Sequence, residues 1–194
     1  MRKLVVIEFM SLDGVVQAPG DPQEDTEAGF VHGGWQRPYF DDVFMREAAG
    51  GMAATDAQLF GRKTYDKMAS FWPTAGDEDP FARHLNSVDK YVASRSMTQA
   101  TWQNTTVLNG DVAAQVSELK AQEGGTISVL GSVALAQTLM HHDLVDEYVL
   151  AIHPVVLGSG KKLFRSSAQL RRLQLLDVTP TTTGVLLTTY RPTR

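Results

Sequence analysis

The chain contains no cysteine among its 194 residues. This absence excludes a disulfide framework, a thiol nucleophile and a zinc site built on cysteine. The chain also lacks an excess of positive charge, since 18 Lys and Arg residues stand against 22 Asp and Glu residues, for a net charge of −4. That balance argues against nucleic acid or an anionic membrane as the main partner.

Long hydrophobic runs are missing as well. The apolar stretch near the N-terminus, Leu4 to Met10, contains Glu8 and is too short for a signal peptide or a membrane span. We therefore expect a cytoplasmic protein with no membrane partner. The sequence has no internal repeat and no interdomain linker, and its length suits one domain. We predict a single domain over residues 1–194.

Apolar, β-branched runs alternate with segments of helical pattern along most of the chain. The predicted strands include Leu4 to Met10, Thr126 to Leu130 and Tyr148 to His153. A helix from about Asp41 to Ala49 is predicted to stop at Gly50 and Gly51. This alternation indicates an α/β fold, with a mostly parallel central sheet and helices on both faces. Two closing strands, near residues 173–178 and 185–190, predict an antiparallel edge at the C-terminal end.

Three predicted strands end in residues that suit a phosphate. After one strand, Gly61 permits a close backbone approach, Arg62 and Lys63 bring positive charge to a helix N-terminus, and Thr64 offers a hydroxyl. Ser94 and Arg95 end the next strand with a hydroxyl and a guanidinium. Any one of these cations by itself is more often an ordinary solvated charge than a phosphate ligand.

The third such turn is Gly131-Ser132, between a β-branched strand and a helix. Such a turn directs free backbone N–H groups and the positive end of a helix dipole at one spot. In open α/β sheets, ligands lie outside the carboxyl ends of the strands. Three such turns together predict one shared anionic ligand, a dinucleotide, and the number of cations favours NADPH over NADH.

A long polar loop, from Val15 to Gly34, separates the first strand from an aromatic-rich segment. Loops of that length often act as lids or binding loops. Aromatic side chains near it are suited to stacking on a flat heterocycle, although at least half of them are expected to be core. The candidate substrate residues are Trp35, Phe40, Phe44 and Trp72.

Other motifs carry less weight. The segment Gly158-Ser159-Gly160-Lys161 is not a P-loop, because Val155 stands where a glycine is required and Lys162 follows the lysine. We predict no metal site, since the adjacent residues His141 and His142 point in different directions. His153 on its apolar strand is interpreted as a hydrogen-bonded core histidine. No nucleophile-elbow motif supports a hydrolase.

Taken in order, the motifs resemble one known family. They are Ser11-Leu12-Asp13-Gly14, Phe60-Gly61-Arg62-Lys63-Thr64-Tyr65, Val92-Ala93-Ser94-Arg95, Val129-Leu130-Gly131-Ser132, Leu144-Val145-Asp146-Glu147 and the segment from His153 to Phe164. The ordered set resembles the dihydrofolate reductase-like superfamily. Within it, the chain is similar to the C-terminal reductase domain of bifunctional riboflavin-biosynthesis deaminase/reductases.

This resemblance implies a dihydrofolate reductase-like fold that uses NADPH as hydride donor, and it implies the roles of three groups of residues. The adenosine phosphates are held by Gly61, Arg62, Lys63, Thr64, Ser94 and Arg95. The pyrophosphate is held by Gly131, Ser132, Val133 and Ala134. The nicotinamide side is lined by Asp13, Gly14, Val15 and Val16. Asp13 is the candidate catalytic residue, and Asp-Gly is also a common turn pair.

Two positions depart from the superfamily pattern. Ser132 replaces the second glycine of the pyrophosphate turn, a change with small expected consequences. The helix carboxylate that grips a pterin is absent near Val43-Phe44-Met45, so dihydrofolate reduction itself is disfavoured. We expect hydride transfer to a C=N or C=O bond of a flat pterin- or pyrimidine-like molecule, with reduction of the 5-amino-6-ribosylaminouracil type as one option.

A non-catalytic nucleotide- or pterin-binding module on the same fold is the alternative. The missing helix carboxylate favours this alternative, whereas the three phosphate turns favour the enzyme. The family resemblance also implies a homodimer formed through the C-terminal strands.

Overall fold

The computed structural model describes residues 1–76, 78–164 and 170–193. The strands within these ranges are β1 (Lys3–Ser11), β2 (Thr55–Gly61), β3 (Asp89–Ala93), β4 (Thr105–Leu108), β5 (Thr126–Leu130), β6 (Glu147–His153), β7 (Leu173–Pro180) and β8 (Leu186–Pro192). The α-helices are α1 (Asp42–Ala53), α2 (Arg62–Phe71), α3 (Pro80–Ser87), α4 (Val112–Ala121) and α5 (Val133–His141). Short 3₁₀ helices cover Glu27–Gly29, Arg37–Tyr39 and Trp72–Thr74.

The strands form one sheet in the order β4-β3-β2-β5-β1-β6-β8-β7. β2 pairs in parallel with both β3 and β5, and β3 pairs in parallel with β4. β8 pairs antiparallel with β6 and with β7. The predicted mixed sheet with an antiparallel C-terminal edge is therefore confirmed.

Two compact units make up the chain. The first unit comprises Met1–Val6 and Ala48–Asp146, and the second comprises Ile7–Glu47 and Glu147–Arg194. The strand β1 contributes its first half to one unit and its second half to the other, and it is buried over most of its length. Such a continuous apolar run is typical of a strand that is covered on both faces.

In the first unit, helices cover both faces of the sheet. The side chain of Phe60 on β2 packs in a buried cluster with Tyr65 of α2 and Leu85 of α3. A Cβ atom on the next residue, Gly61, would instead lie 3.8 Å from the Cβ of Leu135 on α5. Because successive residues of a strand point to opposite faces, α5 lies on the face opposite α2 and α3.

In the second unit, the long loop after β1 is folded onto its own core. Val15, Ala18, Phe30 and Trp35 form a buried apolar cluster, with Phe9 of β1, Val155 and Leu157 packed against it. The indole Nε1 of Trp35 donates to the carbonyl of Gln17 at 2.8 Å. These contacts order a segment that has little regular secondary structure.

Two helix predictions need correction. α1 does not stop at Gly50 and Gly51 but continues to Ala53. Glycine disfavours a helix by about 1 kcal/mol per residue, and Met52, which packs against the buried cluster of the first unit, supplies a contact that offsets this cost. The helix α3 was not expected from the sequence, although Asp79 caps it by accepting from the N–H groups of Phe81 and Ala82.

Candidate dinucleotide and substrate sites

The structure brings the three phosphate-type turns to one edge of the first unit. The strands β3, β2 and β5 are neighbours in the sheet and run parallel, so their carboxyl ends share an edge. Gly61 at the end of β2 pairs with Ala93, the residue before Ser94. The turn after β5 reaches the same place, because the N–H of Gly61 donates to the Oγ of Ser132 at 2.8 Å.

The Gly131-Ser132 turn has the geometry of an anion site. Both residues adopt left-handed backbone conformations, with φ angles of 60° and 62°. A left-handed residue followed by a right-handed helix forms a concave array of N–H groups that suits an anion. Ser132 precedes α5 without capping it through its side chain, so the first N–H groups of α5 are available to a ligand.

The N-terminus of α2 is similarly uncapped by a side chain. Gly61 precedes it in an extended conformation and gives no side-chain cap. Thr64 lies beside the Gly131-Ser132 turn, since a Cβ atom on Gly131 would be 3.9 Å from the Oγ1 of Thr64. The side chain of Arg62 forms an ion pair with Asp66 on the same helix. Its Nε lies 2.9 and 2.7 Å from the two carboxylate oxygens of Asp66. The side chain of Lys63 is exposed.

The turn after β3 is held from two sides. The Oγ of Ser94 accepts hydrogen bonds from the N–H groups of Ser96 and Met97, which leaves the hydroxyl proton to donate elsewhere. The Oη of Tyr65 on α2 accepts from Thr101 and Trp102 at 3.1 and 2.9 Å. Between these anchors, Arg95 is exposed and forms no ion pair within the described ranges.

Asp13 is built into a turn of the second unit. Its carboxylate accepts from the N–H groups of Leu157 and Gly158 and from the hydroxyl of Ser11. The Ser11 hydroxyl is the largest of the influences that lower the pKa of Asp13 to about 2, followed by those two N–H groups. Asp13 is therefore ionised at neutral pH, which suits an acceptor of hydrogen bonds and disfavours a proton donor.

The residues after Asp13 use their main-chain groups internally. The N–H of Gly14 donates to the Ser11 carbonyl, and its own carbonyl accepts from Leu163. The side chains of Val15 and Val16 are buried, at 0% and 7% exposed. A ligand beside these residues would therefore make van der Waals contacts with them, because their main-chain groups are already hydrogen-bonded within the protein.

The predicted aromatic residues divide between the two units. Trp35, Phe40 and Phe44 lie in the second unit. The ring centroids of Phe40 and Phe44 are 5.0 Å apart. Trp72 lies in the first unit, where it packs against the buried cluster around Phe60 and its Nε1 lies 3.1 Å from the sulfur of Met68. The four residues are expected together from the sequence, but only Trp35, Phe40 and Phe44 lie in the same unit.

His153 is buried, as expected of a core histidine, but its aromatic surroundings are not evident from the sequence. Its ring lies among the rings of Phe9, Trp35, Tyr39 and Phe44 in the second unit. The signal that could have found it is the position of a histidine at the end of an apolar strand, next to Pro154, in a chain whose early loop and helix are rich in aromatics.

Over residues 1–76, 78–164 and 170–193, no cluster of three or more His, Asp or Glu side chains could hold a metal ion. No helix within these same ranges is both long enough and apolar enough to cross a membrane.

The chain is similar in sequence to two proteins of Bacillus subtilis. The chain is 33% identical to the uncharacterized protein YyaP of Bacillus subtilis over 138 residues, which covers 70% of this chain and 73% of that protein. It is 26% identical to the uncharacterized protein YwjB of the same organism over 178 residues, covering 90% of this chain and 89% of that protein.

Solved structures share the fold at low sequence identity. A pyrimidine reductase-like protein of Corynebacterium diphtheriae is 14% identical, with a TM-score of 0.68 over 99% of this chain and 92% of that one. Dihydrofolate reductase of Enterococcus faecalis, solved with NADP(H), is 14% identical, with a TM-score of 0.62 over 99% and 97%. RibD of Acinetobacter baumannii is 15% identical, with a TM-score of 0.61 over 100% of this chain and 59% of RibD.

The family comparison agrees with these relatives. The model of the RibD C-terminal domain matches residues 2–187, a range that includes all three phosphate-type turns, Asp13 and His153. The fold is dihydrofolate reductase-like, and the described residues form eight strands in one mixed sheet. The chain therefore belongs to the RibD C-terminal domain family.

Proposed function

We propose that this protein is an NADPH-dependent reductase that transfers a hydride to a C=N or C=O bond of a flat heterocyclic molecule. The observation that carries the proposal is the meeting of three anion-suited turns at one edge of the first unit, joined by the hydrogen bond from Gly61 to Ser132. Membership in a family of reductase-like proteins supports it. When bound, NADPH supplies the hydride, and this chain's own residues bind and orient the cofactor and the substrate.

The residues at these turns fit the groups of NADPH. The uncapped start of α5 and the left-handed Gly131-Ser132 turn suit the pyrophosphate, with Val133 and Ala134 contributing the first helical N–H groups. Gly61 and Thr64 suit the adenosine side of the same ligand. We assign the extra phosphate of NADPH to Ser94 and Arg95, since Arg62 already pairs with Asp66.

The second unit supplies the residues that we assign to the substrate. Phe40 offers its partly exposed ring to a flat molecule, Phe44 packs against that ring from a buried position, and Trp35 is buried in the same unit. Asp13 orients the neighbouring turn or a substrate N–H as an anion, because its low pKa makes proton donation unfavourable at neutral pH. A pyrimidine or pterin ring fits this description, and the 5-amino-6-ribosylaminouracil type is one member of that class.

Nucleotide titration of the purified protein tests the cofactor assignment. We expect NADPH to bind at least tenfold more tightly than NADH, a difference of about 1.4 kcal/mol. Arg95→Ala should lose most of that preference. Arg62→Ala is the matched control, since it removes an equal charge from a side chain that is already paired, and it should retain the preference. Equal binding of the two nucleotides, or an unaffected Arg95→Ala, would contradict the assignment.

The second candidate is a binding module without catalysis. The observation that favours it lies on α1, whose buried face in its first turns carries Phe44, while Asp42 and Glu47 are exposed. No carboxylate is therefore presented there in the manner of a folate reductase. Consumption of NADPH during a screen of pyrimidines and pteridines supports the enzyme. Tight NADPH binding with no turnover of any member of that screen supports the module.

A further inference from the structure

His153 lies at the end of β6 inside a cage of aromatic rings. The cage consists of Phe9, Trp35, Tyr39 and Phe44, whose ring centroids lie 6.5, 5.1, 5.6 and 6.2 Å from that of the imidazole. Trp35 and Tyr39 meet the imidazole nearly at right angles, at 90° and 79°. The imidazole itself is 0% exposed.

The hydrogen bonds of His153 define its protonation state. Its Nδ1 lies 2.9 Å from the carbonyl oxygen of Ala151. Because a carbonyl can only accept, Nδ1 carries the proton. Burial lowers the pKa of His153, and the carbonyls of Ala151 and Met10 offset only part of that effect. The ring is therefore neutral at pH 7, and its other nitrogen, Nε2, presents an unprotonated lone pair.

That lone pair has no donor. Nε2 is buried and makes no hydrogen bond with any residue in the described ranges. The Trp35 indole, a possible donor in the cage, is already committed to the carbonyl of Gln17. A buried acceptor without a partner is destabilising, because it loses its hydrogen bond to water. The hydrogen bond to Ala151 accounts for Nδ1 and leaves Nε2 without a partner.

The cage borders the surface through Tyr39 and through Phe40, which was assigned to the substrate. Phe40, whose side chain is 42% exposed, packs edge-on against Phe44. Tyr39 is half-buried and contacts the imidazole from the adjoining turn. A flat molecule that reaches the buried imidazole from this side has to displace these outer rings. Its faces would lie against the aromatic side chains, as stacking requires.

We propose that Nε2 of His153 accepts a hydrogen bond from a ring N–H or amino group of the substrate and so selects an uncharged heterocycle that carries such a donor. This inference rests on the proposed function and names the substrate class of that site. It assigns to a neutral nitrogen the acceptor role that a carboxylate on α1 would otherwise fill. A neutral acceptor gains less from a protonated ring than a carboxylate does, which favours neutral pyrimidine- or pteridine-type ligands.

Lumazine and 1,3-dimethyllumazine form a matched pair of probes, since both are flat pteridines and the dimethyl compound lacks both ring N–H groups. We expect lumazine to bind the wild-type protein at least tenfold more tightly than its dimethyl analogue. His153→Gln retains an acceptor and should retain much of that preference. His153→Phe removes the acceptor and should bind the two probes about equally. A preference that persists in His153→Phe would arise from steric exclusion of the methyl groups and would overturn the proposal.

Nitrogen NMR of histidine-labelled wild-type protein gives a readout that needs no variant. The Nε2 signal of His153 should have the position of an unprotonated nitrogen in the free protein and should shift on addition of lumazine but not of dimethyllumazine. An unchanged signal with lumazine, whether or not lumazine binds elsewhere, overturns the proposal. NADPH is titrated into the same samples. Normal NADPH binding with an unchanged histidine signal rejects this inference alone, whereas absent NADPH binding rejects the proposed cofactor.

Discussion

Glu8 illustrates how a single buried residue can govern the stability of this fold. It lies on β1, is 3% exposed, and its Oε1 makes no hydrogen bond among the described residues. Burial raises the pKa of Glu8 to about 8. Phe9, its neighbour in the chain, contacts the ring of His153, so the side chain of Glu8 points to the opposite side of the strand. Its proton is therefore not directed at the proposed substrate.

Glu8 should make the protein less stable as the pH rises. Below about pH 4.5 the carboxyl is protonated in both states and has no effect. Between about pH 4.5 and 8 the unfolded chain is ionised while the folded chain holds the proton. The free energy of unfolding then falls by up to about 1.4 kcal/mol per pH unit. Above pH 8 this contribution no longer changes.

Glu8→Gln tests this dependence because an amide does not ionise. We expect the variant to gain stability relative to the wild type as the pH is raised from 5 to 8, measured by denaturant unfolding at each pH. The exposed Glu118→Gln on α4 is the control and should follow the wild-type profile. Parallel profiles for wild type and Glu8→Gln would show that the Glu8 carboxyl is not held protonated in the folded state.

Tyr65 is a second residue whose role is local and measurable. Its hydroxyl oxygen accepts from the N–H groups of Thr101 and Trp102 and holds the segment that follows Arg95. Tyr65→Phe leaves these two N–H groups without that acceptor, and we expect a loss of about 1–3 kcal/mol in the free energy of unfolding. NADPH binding should weaken as well, because the Ser94-Arg95 turn loses an anchor.

Tyr91→Phe on β3 is the matched control for this substitution. Its hydroxyl makes no hydrogen bond within the described ranges, so both stability and NADPH affinity should stay within error of the wild type. A Tyr65→Phe protein that unfolds like this control would show that the two N–H groups find other partners.

At the scale of elements, one lysine connects the long loop after β1 to the segment that follows β6. The ammonium of Lys161 pairs with Asp25 and with Glu27, the latter at 2.7 Å. Gln17 reinforces this connection, since its amide donates to the carbonyls of Asp25 and Glu27 and its oxygen accepts from the N–H of Lys161. Burial lowers the pKa of Lys161, but the two carboxylates outweigh it and raise the pKa overall. The ammonium is therefore charged across the physiological range.

Lys161→Met should loosen this loop without unfolding the protein. Partly exposed ion pairs contribute about 1 kcal/mol or less each, so we expect global stability to change little. Amide hydrogen exchange across residues 17–30 should accelerate by up to about tenfold, which corresponds to about 1.4 kcal/mol. Lys161→Arg keeps the charge and should preserve most of the protection. Unchanged exchange in Lys161→Met would mean that the apolar packing of Phe30 and Trp35 holds the loop by itself.

Element types were largely predictable from sequence, and element ends were less so. The Gly61 and Gly131-Ser132 turns could be predicted because each consists of adjacent residues whose backbone chemistry is local. The end of α1 could not, since the packing of Met52 against distant residues carries the helix through Gly50 and Gly51. The cage around His153 joins residues far apart in the chain, and no local pattern encodes it. For the same reason the sequence could not separate Trp72 from the other candidate aromatics.

For the whole molecule, the strand order leaves β7 at one end of the sheet. A terminal strand has one row of unpaired main-chain groups, and an apolar terminal strand is a site of association unless something covers it. The exposed aliphatic side chains on β7 and the adjoining strand β8 are Leu175, Leu176, Val178 and Leu186, which are 39–48% exposed. We propose that a second copy of this chain covers the C-terminal strands.

The oligomeric state in solution tests this proposal. We expect the wild-type protein to sediment as a dimer at micromolar concentrations, and the double variant Leu175→Lys/Val178→Lys to sediment as a monomer, because a charge buried in an apolar contact is costly. Val31→Lys, at a position that is 81% exposed in the loop after β1, is the matched control and should remain a dimer. A monomeric wild type, or a double variant that still dimerises, would place the interface elsewhere or exclude it. Because the substituted residues lie outside the three phosphate-type turns, NADPH affinity per chain should be the same in the monomeric variant as in the dimer.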